Sequence, residues 1–363
     1  MPVVLHIVES MSSGVLKYLQ EITYPMSKND FQHIIVHSRR EYTPKNLKDL
    51  FHPEVKLVYL SMTSSINLMK DIMTIRKITQ IIKDIQPDII HLHSSKAGFL
   101  GRLATFFSFN RRVFYTPHGY SFLMSSEPFV KRAVFWLAEL FLSQSSAKII
   151  ACSKSEYEYA RKMKFFRKSY LLENALRVEY PLSNWGDRPY HIIGVGRLDA
   201  QKNPQLFIEI VSQLQKRMPS LKAVWVGDGP LSEECFQLTH KKDADIKFTG
   251  WLPHEQVLEY LNSSRLMLQT SKWEGLPYSV LEAFGFGIPV IATDIRSHRD
   301  VIVNGINGFI ASSPKDFIEK TLTIMNDHQL AIKISNTTLE HFKEYYNYDA
   351  FIDKLYKIYL GNA

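Results

Sequence analysis

Two glutamates eight residues apart, in the segment KWEGLPYSVLEAF at 272–284, are of a type and spacing that could do chemistry. Pro277 lies between them, and proline is favoured in the first turn of a helix. The pattern therefore predicts a loop carrying Glu274 and a helix carrying Glu282, so the two carboxylates do not share a helix face. Free N–H groups at a helix start bind phosphate or hydroxyl oxygens. We expect the glutamates to contact different parts of one elongated ligand.

A second candidate site lies in HIIGVGRLDAQKNP at 191–204. This segment reads as a strand that turns through glycines and then presents Arg197 and Lys202. Glycine lets the backbone approach a ligand closely, and two cations at a strand-to-helix turn suit a diphosphate. The glycines do not complete a dinucleotide fingerprint, because no third glycine follows Gly196 where one is required. VGDGP at 226–230 is another strand exit that either borders a nucleotide or forms an ordinary turn.

The elements that position these residues follow from hydrophobic periodicity. Short apolar runs alternate with longer helical segments, which is typical of a parallel, doubly wound sheet. The alternation breaks at 173–190, which carries two prolines and a glycine and is interpreted as a linker. We expect two Rossmann-like domains with ligands in the cleft between them, at the carboxyl ends of the strands. The predicted strands are 3–8, 33–37, 89–93, 113–116, 148–152, 191–196, 222–227, 246–250, 266–270, 289–293 and 308–311, and the predicted helices include 14–28, 67–85, 96–108, 128–144 and 348–360.

Composition narrows the class of protein. The 363 residues are 45% hydrophobic and 12% aromatic, which excludes a disordered chain and allows two full cores. Cys152 and Cys235 are the two cysteines, so a disulfide framework is not expected and a reducing compartment fits. The start MPVVLHIVES does not read as a secretory signal, and no apolar run reaches the roughly 20 residues that a membrane crossing needs. The sequence predicts a cytoplasmic protein or one at the inner face of the cell membrane.

The net charge of +8 comes from the first half of the chain. Residues 1–174 hold 24 Lys and Arg against 14 Asp and Glu, whereas residues 175–363 hold 20 against 22. Such an excess indicates phosphate-bearing partners. RKMKFFRK at 161–168 suits an anionic membrane surface or is a solvated helix face. The stripe Phe129, Val130, Trp136, Leu137 and Phe141 in 128–144 either faces lipid headgroups or belongs to a core helix, and the core interpretation is favoured.

Four motifs together carry a resemblance to a known family. They are the SSG segment after the first strand, TPHG at 116–119, GRLDAQKN at 196–203, and EGLPYSVLE at 274–282 followed by GIPVIAT and NGFI. With these motifs the sequence resembles a retaining glycosyltransferase of the GT-B fold, glycosyltransferase family 4, over essentially the whole chain. The resemblance implies domains at 1–174, for the acceptor, and 175–345, for the nucleotide sugar. It also implies that the helix in 346–363 packs back on the first domain.

Roles for the site residues are implied by the resemblance. Arg197 and Lys202 would bind the donor diphosphate in place of a metal ion. Glu282 would hold the ribose, and Glu274 would stabilise positive charge at the anomeric carbon. The other residues that the family pattern places at the donor are Gly14, His118, Gly196, Leu252, Gly275, Leu276, Pro277 and Tyr278, with His118 facing the sugar, Gly14 approaching the diphosphate and Leu252 near the base.

Some features compete with this interpretation. Ser13 stands where the family often has the first of two glycines. DAD at 243–245 matches the metal-binding pattern of other glycosyltransferases, but its charged setting favours a solvated turn. His91 and His93 in IIHLH either meet acceptor or metal at a strand end or are satisfied polar groups at the sheet edge, and the second interpretation is favoured.

The sequence therefore predicts a metal-independent hexosyl- or N-acetylhexosaminyltransferase without a cofactor. Its donor would be a nucleotide-diphosphate sugar, with UDP favoured. Its acceptor would be a glycan or polyprenyl-diphosphate-linked sugar in surface polysaccharide biosynthesis. The alternatives are a nucleotide-sugar epimerase or sucrose-type synthase of the same fold, or a non-catalytic dinucleotide- or nucleic-acid-binding protein. The missing dinucleotide fingerprint and the lack of a nucleic-acid-binding motif count against the last.

Overall fold

The computed structural model describes residues 1–362 except 28–30, 42, 64, 107–111, 164–168 and 178–180. These residues form two compact units, one made of residues 1–174 with 349–363 and the other of residues 175–348. We call them unit 1 and unit 2. The basic segment at 161–168 lies largely outside the described residues.

Unit 1 is built on a parallel sheet to which its described residues contribute seven strands, in the order β3-β2-β1-β4-β5-β6-β7. The order reverses between β1 and β4, which is the switch point where such sheets bind ligands. The strands are β1 (Val3–Val8), β2 (Gln32–His37), β3 (Lys56–Tyr59), β4 (Ile89–His93), β5 (Arg112–Thr116), β6 (Lys148–Ala151) and β7 (Ser169–Leu171), and the helices between them are α1 (Ser13–Ser27), α2 (Leu68–Ile85), α3 (Ser95–Ala104), α4 (Phe129–Leu142) and α5 (Lys154–Met163).

Unit 2 has a second parallel sheet, with six strands among its described residues in the order β10-β9-β8-β11-β12-β13. Its switch point lies between β8 and β11, the strands that precede Arg197 and Glu274. The strands are β8 (Tyr190–Val195), β9 (Ala223–Val226), β10 (Ile246–Phe248), β11 (Ser264–Gln269), β12 (Val290–Thr293) and β13 (Gly308–Ala311), and the helices are α6 (Pro204–Gln215), α7 (Ser232–Lys242), α8 (His254–Asn262), α9 (Tyr278–Gly285), α10 (Arg296–Val301), α11 (Pro314–Asn326) and α12 (His328–Tyr345).

One more helix, α13 (Tyr348–Leu360), packs on the unit 1 sheet. Phe351 and Tyr359 are buried there, and the Tyr359 hydroxyl lies 2.6 Å from Nδ1 of His91. The carbonyl oxygen of Tyr359 accepts a hydrogen bond from Arg112 at the start of β5. The amphipathic pattern of 348–360 thus buries one face of the helix against β4 and β5.

The expected fold class is confirmed, but the packing of α4 differs from the favoured interpretation. Its stripe of large apolar residues faces solvent, with exposed fractions of 81% for Phe129, 56% for Leu137 and 62% for Phe141. The buried residues of this helix are Glu139 and Leu142. Glu139 pairs with the buried Arg102 of α3 at 2.9 Å, so the inner face of α4 is held by an ion pair, and the core interpretation of the stripe is wrong.

Candidate active site

Glu274 lies in the loop between β11 and α9 and is almost fully buried. Its Oε1 accepts from Lys202 Nζ at 2.6 Å, from Ser271 Oγ at 2.7 Å and from Gln269 Nε2 at 3.3 Å. Its Oε2 accepts from Gln201 Nε2 at 3.2 Å. The structure thus brings Lys202 and Glu274 into direct contact, and the loop after β8 meets the loop after β11.

The charge of Glu274 is set by two opposing effects. Burial alone raises the pKa of the carboxyl, but the positive charge of Lys202 and hydrogen bonds from Lys202 and Ser271 outweigh it and lower the pKa below its ordinary value. Glu274 is therefore ionised at neutral pH. An anion with four hydrogen-bond donors around it can stabilise a nearby positive charge and is a weak nucleophile.

Glycines bring the strand exits of unit 2 close together. Gly196 has φ +147°, and a Cβ placed on it would lie 2.8 Å from the side chain of Lys202. Gly227 has φ +130°, and a Cβ there would lie 2.2 Å from the carbonyl oxygen of Gly196. These close approaches explain why glycine is needed at the ends of β8 and β9: the backbone of Gly196 packs directly on the catalytic candidate Lys202.

Arg197 and Lys202 are both organised by Asp199, a residue that the sequence reasoning passed over. The Arg197 guanidinium lies 2.6 Å from Asp199 Oδ2 and keeps 37% of its side chain exposed. The Lys202 backbone N–H donates to Asp199 Oδ1 at 3.0 Å. The motif GRLDAQK thus uses its aspartate to fix the turn while the guanidinium remains open to a ligand.

Glu282 lies in the second turn of α9 with only 7% of its side chain exposed, and its Oε1 contacts His254 Nε2 at 2.7 Å. His254 is the first residue of α8 and its side chain is 44% exposed. Leu252, predicted near the base, lies two residues before His254 and is half-buried. Sequence reasoning missed His254, although its position just after Leu252 was a usable signal.

The segment between the two glutamates begins the helix as predicted. Gly275, Leu276, Pro277 and Tyr278 are buried, and Pro277 caps α9 with its carbonyl accepting from Val280 at 3.1 Å.

His118 belongs to unit 1, in the turn after β5. Its φ is +53° and that of Gly119 is +97°, so both residues adopt the left-handed conformation. The turn is fixed by Glu156 of α5, which accepts hydrogen bonds from the backbone N–H groups of Gly119 and Cys152. The half-buried ring of His118 meets the ring of Tyr18 edge-on at 4.7 Å between centroids.

Two sequence predictions about unit 1 need correction. Gly14 was placed in a loop, but α1 begins at Ser13 and Gly14 is exposed in its first turn. His91 and His93 are not at a sheet edge. They lie in the central strand β4 with no exposed surface, and Tyr359 and Thr116 contact His91 at 2.6 and 2.8 Å. Their polar groups are satisfied by the protein, as the favoured interpretation expected.

The segment DAD at 243–245 forms a turn between α7 and β10, in which the two aspartates are exposed and Ala244 is buried. Asp243 ends α7 in the left-handed conformation, and the backbone N–H of Asp245 donates to Gln215. The predicted turn is confirmed.

His298 of α10 is a site residue that sequence reasoning missed. It is fully buried, and its Nδ1 lies 2.8 Å from the Thr293 carbonyl oxygen, which makes Nδ1 the protonated nitrogen. Burial lowers its pKa to about 4, although the Thr293 carbonyl and the charge of Glu274 oppose this effect. Its Nε2 has no hydrogen-bond partner among the described residues. A neutral imidazole thus presents a bare acceptor close to Glu274.

Two family models match the chain in succession. The one described as Glycosyltransferase Family 4 matches residues 12–179, and the one described as Glycosyl transferases group 1 matches residues 182–341. The chain belongs to this family of glycosyltransferases. The expected family and enzyme class are therefore confirmed, and the remaining residue roles stay predictions.

One relative and two solved structures illustrate the similarity. A protein from Escherichia coli named UDP-Gal:alpha-D-GlcNAc-diphosphoundecaprenol alpha-1,3-galactosyltransferase is 28% identical over 313 residues, which cover 80% of each chain. Sucrose-phosphate synthase from Thermosynechococcus elongatus superposes with a TM-score of 0.84 at 16% identity, over 99% of both chains. Anabaena HepE in complex with UDP and glucose gives 0.80 at 16% identity, again over 99% of both. The likeness to solved structures confirms the GT-B fold class.

Proposed function

We propose that this glycosyltransferase moves a hexosyl or N-acetylhexosaminyl residue from a UDP-sugar to a glycan or a polyprenyl-diphosphate-linked sugar in surface polysaccharide biosynthesis. The observation that carries the proposal is the contact between Lys202 and the ionised Glu274. The names of the galactosyltransferase from E. coli and of the HepE complex support the donor and acceptor classes.

The cation and the anion of this pair suit the two ends of the bond that breaks. In a nucleotide sugar the β-phosphate and the anomeric carbon are joined through one oxygen, so a phosphate ligand and a sugar ligand must lie side by side. Lys202, with Arg197 beside it, would neutralise charge that grows on the leaving diphosphate. Glu274 would stabilise the positive charge on the sugar ring. The two cations would neutralise the leaving diphosphate, as a divalent metal ion does in other glycosyltransferases. We therefore expect activity without added metal.

Retention of the anomeric configuration is part of the proposal. The hydrogen bonds on both oxygens of Glu274 make this carboxylate a poor nucleophile, which favours attack by the acceptor on the face that the diphosphate leaves. The departing phosphate oxygen then takes the proton of the acceptor hydroxyl. Glu282 would accept from the ribose hydroxyls, with His254 as its partner before the nucleotide binds.

The acceptor class leads to a proposed membrane-facing surface. A polyprenyl-linked acceptor is held in a bilayer, and none of the described helices combines the length and apolar composition that crossing one requires. The apolar stripe of α4 is exposed, as are Leu68, Met69 and Met73 on α2. Helix α3 packs between α2 and α4. Apolar side chains beside Lys70 and Lys131 are the combination that binds anionic lipid surfaces.

The transfer reaction is tested with a panel of nucleotide sugars in the presence of EDTA. We expect release of nucleoside diphosphate from one UDP-sugar only when acceptor is added, and a product linkage of unchanged configuration by NMR. Lys202→Met should lower the rate, whereas Lys241→Met, which removes an exposed lysine of α7, should not. Absence of UDP-sugar binding would refute the proposal, and release of UDP with fructose or its phosphate as acceptor would favour a sucrose-type synthase.

The membrane surface is tested by cosedimentation with vesicles of phosphatidylglycerol and phosphatidylcholine at low salt. We expect the wild-type protein to sediment and a Phe129→Glu, Leu137→Glu variant to stay in the supernatant. Val303→Glu, which changes an exposed apolar residue of unit 2, is the control. Equal sedimentation of all three proteins would contradict the surface on α4.

A further inference from the structure

The sheet of unit 1 carries a row of imidazoles behind His118. His6 of β1 lies directly opposite His91 of β4 in the strand register, and His33 of β2 lies opposite Val4, two residues before His6. Because side chains alternate between the faces of a strand, His6, His33, His91 and His93 share one face. All four are buried.

Three contacts join four imidazole rings into a histidine chain that ends at His118. His33 Nδ1 lies 2.9 Å from His6 Nε2, and His6 Nδ1 lies 3.1 Å from His93 Nε2. His93 Nδ1 then lies 3.2 Å from His118 Nε2. His91 stands beside the chain, because its two nitrogens are taken by Tyr359 and Thr116. His6 and His93, the two interior rings, each use both nitrogens in these contacts.

The rings are neutral. Burial lowers the pKa of His33 to about 4 and that of His118 to about 3. Burial, together with the neighbouring imidazoles, lowers the pKa of His6 and His93 well below the ordinary value. A neutral imidazole has one N–H donor and one acceptor nitrogen. Three hydrogen bonds between four neutral rings therefore run in a single direction, either all towards His118 or all away from it.

The direction of these hydrogen bonds is decided at His33, the end of the histidine chain opposite His118. His33 Nε2 is buried and has no partner among the described residues. If the bonds ran away from His118, this atom would be an orphaned N–H. If they run towards His118, it is an unused acceptor, which folded proteins tolerate better. The bonds therefore run from His33 through His6 and His93 to Nε2 of His118.

We infer that His93 and His6 are positioning residues that hold His118 as its Nδ1–H tautomer. His118 then offers its Nδ1–H as a hydrogen-bond donor, which suits an acceptor such as the oxygen of a sugar hydroxyl. Among the described residues Nε2 contacts His93 and Nδ1 has no partner. It cannot take a proton at Nδ1 as a neutral general base. This inference rests on the proposed function and on the family resemblance, which implies that His118 faces the donor sugar. It deepens that proposal by assigning the hydrogen-bond polarity of the contact.

The tautomer is read by NMR on the full chain labelled with 15N-histidine, using long-range proton–nitrogen correlations. We expect the ring of His118, identified by its loss in His118→Gln, to show the Nδ1–H pattern at pH 7 without any ligand. An Nε2–H pattern would overturn the inference, as would one equivalent of bound zinc on His6, His91 and His93 that a chelator removes, because metal bonds would replace the chain.

A matched pair of variants separates tautomer control from a packing role. His93→Leu and His33→Leu each remove one buried imidazole, but His93→Leu alone cuts the bond to His118. In His33→Leu the buried nitrogen without a partner becomes His6 Nε2. Because an unused acceptor there is again better tolerated than an orphaned N–H, the hydrogen bonds still run towards His118. We expect His93→Leu to lose the Nδ1–H pattern of His118 and to lower kcat/KM for the donor by about three- to tenfold, the worth of one neutral hydrogen bond. His33→Leu should do neither.

Equal kinetic losses in the two variants would assign these histidines to packing and overturn the inference. The wild-type spectrum decides the tautomer even if a variant fails to fold. Failure of the proposed function looks different, because the protein would then bind no UDP-sugar while the tautomer pattern was unchanged.

Discussion

The buried histidine face makes a quantitative prediction for acid stability. His6, His33, His91 and His93 have lowered pKa values in the folded protein, whereas an unfolded chain titrates near 6.5. Below that value the unfolded state binds more protons than the folded state. The stability that these neutral histidines contribute is therefore fully present above pH 6.5. It is lost as the pH falls towards their pKa values in the folded protein.

The magnitude follows from linkage. Between pH 7 and pH 5.5, each imidazole that stays neutral in the folded state removes about 1.3 kcal/mol from the free energy of unfolding. His6, His33, His91, His93 and His118, whose pKa is about 3, together remove about 6 kcal/mol. A whole domain is stable by roughly 5–15 kcal/mol, so unit 1 should approach its acid midpoint near pH 5.5.

Native-state hydrogen exchange followed by mass spectrometry measures this loss separately in each unit. We expect peptides of β1, β2 and β4 to lose about 6 kcal/mol of protection, after correction for the intrinsic pH dependence of exchange. Peptides of β11 and β12 are the internal control. His298, with a pKa of about 4, removes about 1.3 kcal/mol from unit 2, and the lowered pKa of the partly buried His191 adds a smaller loss. Equal losses in both units would refute the neutral histidine chain.

Three further predictions concern unit 2. Glu282→Ala should weaken UDP binding by at least about tenfold by titration calorimetry, because a charged hydrogen-bond acceptor is lost; unchanged affinity would remove the ribose assignment. Lys202→Met should lower kcat more than it raises KM, because charge on the leaving group grows in the transition state; an effect on KM alone would assign Lys202 to ground-state binding. Gly227→Ala should destabilise unit 2 by about 2–3 kcal/mol in thermal unfolding, because the added Cβ meets the backbone of Gly196. The control Gly250→Ala, at φ +69° with open space around it, should cost only about 1 kcal/mol, and equal losses would contradict this packing argument.

In unit 1 the sequence predicted the central strands well and the sheet edges poorly. β1 and β4 have the predicted bounds because each is a short apolar run buried in the sheet. The edge strands β3 and β7 were missed, since Lys56–Tyr59 is partly exposed and Ser169–Leu171 has only three residues. Where burial is incomplete, the apolar pattern that marks a strand is too weak to recognise.

The candidate site was predictable where neighbours in sequence act together. Glu274, Glu282 and the pair Arg197 and Lys202 stand in motifs that a single segment displays. The histidine chain was not predictable, because His33, His6 and His93 come from three strands, and parallel register brings them together. The exposed stripe of α4 was misassigned because Glu139 and Arg102, which hold its inner face, do not look like core residues in a sequence.

The position of helix α13 at the end of unit 1 has a consequence for how the protein folds while the ribosome makes it. It covers the histidine face of unit 1, yet the ribosome makes residues 175–347 before it makes this helix. At typical rates of synthesis that interval is about 10–30 s. During this time the nascent sheet presents uncovered imidazoles and apolar rings to the cell, whereas unit 2 is continuous in sequence and can fold as soon as its own last residues are made. We therefore expect ribosome-associated chaperones to engage nascent unit 1 for longer than unit 2, and release of unit 1 to coincide with the emergence of α13.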